Sequence, residues 1–104
     1  ARRCVLETGS RLSVDSLPTF MRDYKVLWVK DCVARKFDTF PFSSKWIGMN
    51  VLSLDPQTII VDEIQRDLIE QLNEAKFNTI ALPMRQSRTL GGGFHCVTCD
   101  LERL

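Results

Sequence analysis

The feature that most constrains the fold is one amphipathic segment between two short apolar runs. From Asp62 onward the apolar residues fall at helical spacing, and charged residues occupy the other face. The apolar residues are Ile64, Leu68, Ile69, Leu72 and Ala75. This pattern predicts a helix over about Glu63 to Lys76. The runs on either side, Thr58 to Val61 and Asn78 to Leu82, are extended in pattern, and Pro83 ends the second.

Other short runs extend this alternation of element types. Met49 to Leu54 reads as a strand that forms a hairpin with the Thr58 run, because Asp55-Pro56-Gln57 between them favours a turn. After the glycines at 91–93 we expect a last strand, from about Phe94 to Leu101.

The first half of the chain has a shorter version of the same order. Cys4 to Leu6 is a short extended run, Ser16 to about Tyr24 predicts a short helix with a first-turn proline, and Lys25 to Lys30 reads as a buried strand. Asp31 to Ser44 has no clean period and is predicted to be a loop. An α/β architecture follows from the alternation alone.

Charge and hydropathy exclude some classes of partner. Lys and Arg number 14 against 13 Asp and Glu, so the net charge is +1, which gives no electrostatic reason to expect nucleic acid or an anionic membrane as a partner. No apolar run approaches the roughly 20 residues that span a bilayer. We therefore expect a soluble protein with no membrane partner. The chain starts at Ala1 in mid-pattern, as an excised or processed piece would.

The cysteines bear on the compartment. Cys4, Cys32, Cys96 and Cys99 are too sparse for a small secreted domain held by disulfides. Reduced thiols are therefore expected, in the cytoplasm or in an organelle such as the mitochondrion.

The chemically suggestive stretch runs from Arg85 to Asp100 and contains three consecutive glycines. Glycines at 91–93 allow close approach of the backbone to a ligand and positive φ, although a flexible turn would use them equally well. Cys96 and Cys99 form a C-x-x-C pair, which invites a zinc or redox interpretation. Against it, there is no second such pair, and residues three apart on a strand face opposite ways.

His95 is the tempting base for a nucleophilic Cys96. Adjacent strand residues face apart, so the expected strand argues against that pairing, and His95 is interpreted as a structural, hydrogen-bonded histidine. Cys96 itself has a bland alternative as a small buried hydrophobe.

The segment Leu90 to Cys96, followed by Thr98-Cys99-Asp100, resembles the active-site terminus of the glycine (arginine) amidinotransferase family. Ser43 to Trp46 and Met49 to Asp55 are also similar to that family. Val5-Leu6 followed by Arg11 resembles it more loosely. The resemblance identifies the chain as a C-terminal segment of such a protein.

The resemblance implies a fold and a reaction. The fold is an incomplete, pentein-like α/β propeller of ββαβ modules, with residues 1–42 as a partial module and residues 43–104 as a full module that carries the nucleophile. In the implied reaction Cys96 attacks the guanidinium carbon of arginine and passes the amidino group to an amine acceptor. Ser43 and Ser44 match substrate-binding positions, and Arg11 would pair with the substrate carboxylate. Alternatively, the serines are loop or cap residues and Arg11 is a solvated charge.

The family also uses a histidine held by an aspartate, and this chain offers no candidate for that histidine. The isolated chain is therefore predicted to be inactive, with the remainder of the catalytic domain as its partner and a homo-oligomer possible. No cofactor and no metal are implied. A guanidine-modifying hydrolase and a non-catalytic structural module stay open as alternatives. The acceptor, whether glycine, an aminocyclitol or a toxin precursor, is not specified.

Overall fold

The computed structural model describes residues 4–7, 18–34, 44–86 and 91–102 and contains two small β-sheets. In the first, β1 (Cys4–Glu7) pairs in parallel with β2 (Lys25–Trp28), in the register Cys4 with Lys25. A short 3₁₀ helix, Thr19–Met21, precedes β2. The predicted strand, helix, strand order of the first half is therefore confirmed, but the helix predicted from Ser16 to about Tyr24 is a 3₁₀ helix of three residues. Positions 8–17 lie outside the described residues.

The second sheet has three strands in the order β3, β4, β5, which are Leu52–Ser53, Thr58–Asp62 and Asn78–Leu82. β3 runs antiparallel to β4, and β4 runs parallel to β5. A parallel neighbour needs a crossover connection, and α1 (Arg66–Glu74) supplies it. The order strand, strand, helix, strand confirms what the alternation predicts.

Asp55 makes the β3–β4 turn. Its Oδ1 accepts the backbone N–H groups of Gln57 at 2.7 Å and Thr58 at 2.8 Å. A short carboxylate side chain that binds the backbone two and three residues onward stabilises a turn locally. The predicted hairpin is confirmed, although Met49 ends a 3₁₀ helix instead of opening β3.

The helix α1 is shorter than its hydrophobic pattern predicts, because both of its ends are fixed by other bonds. Before it, the N–H of Gln65 donates to the carbonyl of Asp62 at 2.9 Å and forms a turn. After it, Lys76 takes a left-handed φ of 71°. The N–H of Phe77 then donates to the carbonyl of Leu72 at 3.0 Å, the bond pattern of a Schellman C-cap.

The core lies between α1 and β4. Leu68, Leu72 and Val61 are at most 1% exposed, and the same cluster includes Val29 and Phe77. This buried face is the one that the helical spacing of apolar residues predicts. Because α1 packs on the sheet through these side chains, its position fixes what its polar side chains can reach.

Two glutamines on and beside α1 bind the chain that leaves β2. Gln65, 1% exposed, accepts from the N–H of Val33 and donates to its carbonyl, both at 2.8 Å. Gln71 donates to the carbonyl of Trp28 at 2.8 Å and accepts from the N–H of Lys30 at 3.3 Å. These four bonds connect residues 28–33 with α1 and so join the two halves of the chain.

Two further predicted strands differ from the structure, whereas the predicted loop agrees with it where it is described. The strand expected at Lys25 to Lys30 ends at Trp28, and the loop expected at Asp31 to Ser44 is irregular over 31–34, with 35–43 outside the described residues. The last strand, Phe94 to Leu101, is wrong: residues 94–97 form a turn and 98–100 are irregular. In the described part of the chain, no helix has the length and apolar character to cross a membrane.

Replacement of Gln65 by methionine keeps the side-chain length but removes both bonds to Val33. We expect Gln65→Met to lower the free energy of unfolding by about 1–3 kcal/mol, because buried polar groups lose their partners. Urea unfolding, monitored by circular dichroism, measures this change in free energy. Gln57→Met is the matched control at an exposed position and should change stability by less than about 0.5 kcal/mol. Equal effects of the two substitutions would contradict the importance of the buried contact.

Candidate active site

The segment that carries Cys96 folds as a turn on bonds that it makes with itself. The hydroxyl of Thr98 lies within hydrogen-bond distance of two carbonyl oxygens, those of Phe94 at 3.2 Å and His95 at 3.0 Å. The N–H of Thr98 also donates to the carbonyl of His95, at 3.2 Å, and the N–H of Val97 to that of Gly93, at 3.3 Å. These local bonds compete with strand pairing, which is why the expected strand is absent.

The turn changes the argument about the neighbours of Cys96. Strand alternation would separate Cys96 from His95 and Cys99, but residues in a turn do not alternate between two faces. All three side chains are exposed, and Cys96 and Cys99 carry free thiols. The prediction that His95 and Cys96 lie on opposite faces assumed a strand, and that assumption is wrong. The interpretation of Cys96 as a buried hydrophobe is also wrong.

Asn50 binds this turn at two points. Its backbone carbonyl accepts the N–H of Phe94 at 3.0 Å, and its side-chain Oδ1 accepts the N–H of Cys96 at 3.2 Å. The two donors are two residues apart, so a single asparagine holds both ends of the peptide segment between them. This contact crosses 46 positions of sequence.

Glycine is required at two positions near this turn, for two different reasons. Gly91 takes a φ of 92°, a left-handed conformation that glycine adopts without steric cost. A Cβ at Gly93 would lie 2.5 Å from both the Cβ and the carbonyl oxygen of Asn50. The close approach that the three glycines predict is therefore made, at Gly93, to another part of the chain.

Ser44 and Asn50 stand at the two ends of one 3₁₀ helix, Lys45–Met49. Ser44 is the N-cap: its hydroxyl oxygen accepts the N–H of Trp46 at 3.3 Å, and its carbonyl accepts the N–H of Ile47 at 3.1 Å. Asn50 is the C-cap, and its N–H donates to the carbonyl of Ile47 at 2.9 Å. The cap role that the sequence leaves open for Ser44 is observed.

Gly48 fixes this 3₁₀ helix against the core. A Cβ on Gly48 would lie 2.6 Å from Cδ of Gln65, the buried side chain that also binds Val33. Only a glycine lets the two segments approach so closely. The 3₁₀ helix therefore rests on a side chain that is itself fixed by two hydrogen bonds.

Lys45 supplies the ion pair next to Ser44. Its Nζ donates to Oδ1 of Asp31 at 2.6 Å and lies 4.9 Å from the centroid of the Trp46 ring. The Lys45 hydrogen bond, together with the backbone N–H of Cys32, holds the pKa of Asp31 below its ordinary value. Both charged side chains are largely exposed, so the pair directs the Lys45 side chain more than it stabilises the fold.

Two of the predicted substrate residues, Arg11 and Ser43, lie outside the described residues. Ser44 and Cys96 are both described and belong to segments that meet through Asn50. Sequence reasoning missed Asn50 as a site residue. The glycine run indicated a close backbone approach, but only the fold could show which residue is approached.

Among residues 4–7, 18–34, 44–86 and 91–102, no group of three or more His, Cys, Asp or Glu side chains is placed to hold a metal ion.

The sequence is similar to those of two kinds of amidinotransferase. Over 100 residues, 95% of the chain, it is 39% identical to inosamine-phosphate amidinotransferase 1 of Streptomyces griseus. Over 61 residues, 59% of the chain, it is 43% identical to the mitochondrial glycine amidinotransferase of Xenopus tropicalis. The chain spans 29% of the length of the first protein and 14% of the second. No family model matches the sequence.

Solved structures of amidinotransferases also superpose closely on this chain. The inosamine-phosphate amidinotransferase of Streptomyces griseus superposes with a TM-score of 0.84 at 37% identity. An amidinotransferase of the saxitoxin biosynthetic pathway from Microseira wollei superposes with a TM-score of 0.85 at 27% identity. Each comparison covers 99% of this chain and 30% of the other chain.

The Asp31–Lys45 pair gives a prediction about acid stability. Because the pKa of Asp31 is lowered by folding, its stabilising contribution is complete above its ordinary value of about 3.9 and is lost as the pH falls through the lowered pKa. Lys45→Met should raise the pKa of Asp31 toward the ordinary value, as measured by carboxyl-carbon NMR titration. Asp55 is the internal control, since its pKa is lowered by bonds from Gln57 and Thr58 and should not change. An unchanged Asp31 titration would contradict the pair.

Proposed function

Because this chain belongs to the amidinotransferase family, we propose that it is part of an enzyme that transfers an amidino group from arginine to an amine acceptor. The nucleophile in this proposal is Cys96. The observation that carries it is an exposed thiol on a turn whose backbone is held at Phe94 and Cys96 by Asn50. An accessible thiol on a fixed backbone meets the first requirement of covalent catalysis.

The proposed reaction has two balanced steps. In the first, the Cys96 thiolate attacks the guanidinium carbon, the bond from that carbon to Nε of arginine breaks, and ornithine leaves after this nitrogen, now its δ-amino group, gains a proton. The amidino group is then bonded to Sγ. In the second step the acceptor amine attacks the same carbon, loses a proton, and the C–S bond breaks to return the thiolate. No oxidant, reductant or cofactor is needed.

Charge favours this chemistry at Cys96. The substrate guanidinium is positive, and an opposite charge close to a thiol favours its thiolate form. Proton transfer to ornithine and from the acceptor needs a separate acid and base, which typically contribute about 10²–10⁴-fold. We assign these to a histidine held by an aspartate in the remainder of the catalytic domain. Residues 1–104 alone should then be inactive.

We propose Arg11, Ser43 and Ser44 as the substrate-binding residues of this segment. The Arg11 guanidinium would pair bidentately with the substrate carboxylate, and the serine hydroxyls would hydrogen-bond the substrate. Ser44 supports this assignment by its position, because the 3₁₀ helix that it caps ends at Asn50, next to the Cys96 turn.

The architecture of the complete enzyme is also part of the proposal. Residues 43–104 would be one ββαβ module of a pentein-like propeller, and residues 1–42 part of another. The strand order within β3, β4, α1 and β5 supports the module. The remaining protein would cover the exposed side of β5, where Ile80 and Leu82 are each 40% exposed. The cytoplasm is the proposed location, although one relative is named mitochondrial.

The first test is substitution of the nucleophile in the full-length protein that contains this segment. Cys96→Ser should lower amidino transfer from arginine by a factor on the order of 10³ or more, because the covalent step is lost. Quenched wild-type reactions should show one amidino group on Cys96 by peptide mass spectrometry. Cys99→Ser, at a second exposed free thiol among the described residues, is the matched control and should keep its activity.

The same assay separates the alternative functions. Turnover that continues without an amine acceptor would indicate a hydrolase, in which water takes the amidino group. Full activity of Cys96→Ser would exclude it as the nucleophile. If the wild-type protein neither consumes arginine nor carries an amidino group on Cys96, the result would favour the non-catalytic structural module.

Ser44→Gly separates substrate binding from capping. Glycine at an N-cap costs only a few tenths of a kcal/mol, so stability should change little. If the hydroxyl binds the charged substrate, its loss should raise KM for arginine about tenfold or more. Ser53→Gly is the control at an exposed serine of β3, whose hydroxyl donates to the carbonyl of Asp55. An unchanged KM in Ser44→Gly would leave Ser44 with the cap role alone.

A further inference from the structure

We propose that Asn50 is a positioning residue for the nucleophile: its side-chain oxygen holds the backbone of Cys96 and thereby orients the thiol for attack. This inference rests on the proposed role of Cys96. It concerns a residue outside 91–102 that binds the Cys96 turn at two points.

An exposed thiol has little packing to orient it. Cys96 is exposed and lies in a turn, so side-chain packing within the described residues does little to fix its Cα–Cβ direction. Productive attack needs reacting atoms about 3–3.5 Å apart and aligned. Within this segment, the orientation therefore comes from the backbone of the turn.

Asn50 provides two anchor points on that backbone. Its carbonyl binds the N–H of Phe94 and its Oδ1 binds the N–H of Cys96. One anchor would leave the turn free to rotate about a single bond, whereas two anchors on alternate residues define the orientation of the peptide groups between them. The second anchor is made by the side chain, so a residue without an oxygen at this position cannot supply it.

Asn50 is itself held in place. Its N–H donates to the carbonyl of Ile47, and the 3₁₀ helix that it ends is packed through Gly48 on the buried Gln65. Gly93 packs directly on Asn50, and a Cβ there would lie 2.6 Å from Oδ1. The anchor therefore connects the turn to the core of the fold.

The test compares two substitutions of similar size in the full-length protein. Asn50→Leu removes the side-chain acceptor, and Asn50→Asp keeps it. Rates are compared at the plateau of each variant's pH–rate profile, so that the added charge of the aspartate is separated from the loss of the anchor. We expect Asn50→Leu to lower kcat about ten- to a hundredfold with little change in KM. Asn50→Asp should recover most of this loss.

The rate of Cys96 alkylation by a chloroacetamidine probe, measured in parallel, should also be lower in Asn50→Leu and largely recovered in Asn50→Asp. Asn73→Leu is the matched control, because Asn73 is an exposed asparagine of α1 whose Oδ1 accepts from the hydroxyl of Thr79 at 3.0 Å. It should keep kcat within about twofold. If Asn50→Leu does not fold, Asn50→Ala replaces it, since alanine also has no side-chain acceptor for the Cys96 N–H.

The outcomes separate this inference from the proposed function. If Cys96→Ser is inactive while the folded Asn50 variant without the acceptor keeps its kcat, the positioning role is overturned and the nucleophile stands. The role is also overturned if the aspartate variant is as slow as the leucine variant. Full activity of Cys96→Ser would instead overturn the proposed function.

Discussion

The contacts of one buried side chain, Gln65, connect the parts of this structure that matter for the site. Gln65 precedes α1, and both polar atoms of its side chain bind the backbone of Val33. Its Cδ also fills the space above Gly48, where a Cβ would be 2.6 Å away. A buried amide that lost these partners would be unfavourable by about 1–3 kcal/mol. The first half of the chain and the 3₁₀ helix Lys45–Met49 are therefore held by the same residue.

A series of contacts leads from Gln65 to the segment that carries the Cys96 thiol. Gly48 belongs to a 3₁₀ helix that begins after Ser44 and ends at Asn50. Asn50 then accepts two N–H groups of the turn that carries Cys96. A proposed substrate residue and the proposed nucleophile are thus attached to opposite ends of one short rigid element. Sites held on such elements keep their geometry better than sites on unsupported loops.

Local patterns predicted most of the regular structure. The apolar spacing at Leu68 and Leu72 marks the buried face of α1, and Asp55 marks the β3–β4 turn. These features depend on residues within a few positions of one another, so periodicity and turn chemistry are sufficient to find them. The helix ends were harder, because Lys76 adopts a left-handed conformation that is uncommon outside glycine.

The last segment shows where local reasoning fails. Phe94 to Leu101 has the apolar and β-branched residues of a strand, yet residues 94–97 form a turn, held by the Thr98 hydroxyl and the Asn50 anchor, and 98–100 are irregular. A strand needs a partner strand, and sequence pattern does not say whether one is present. The error mattered, since strand alternation was the reason to separate Cys96 from His95.

By itself, the sequence determined the α/β class, the hairpin, the amphipathic helix and the family resemblance, including the identity of Cys96 as the residue to test. These depend on residue type and on short spacing. Only the tertiary structure decided that Gly93 approaches Asn50, that Gly48 approaches Gln65, and that Cys96 is exposed on an anchored turn. The physical reason is that the Asn50 to Cys96 hydrogen bond crosses 46 positions, and a contact of that kind exists only after the core has packed.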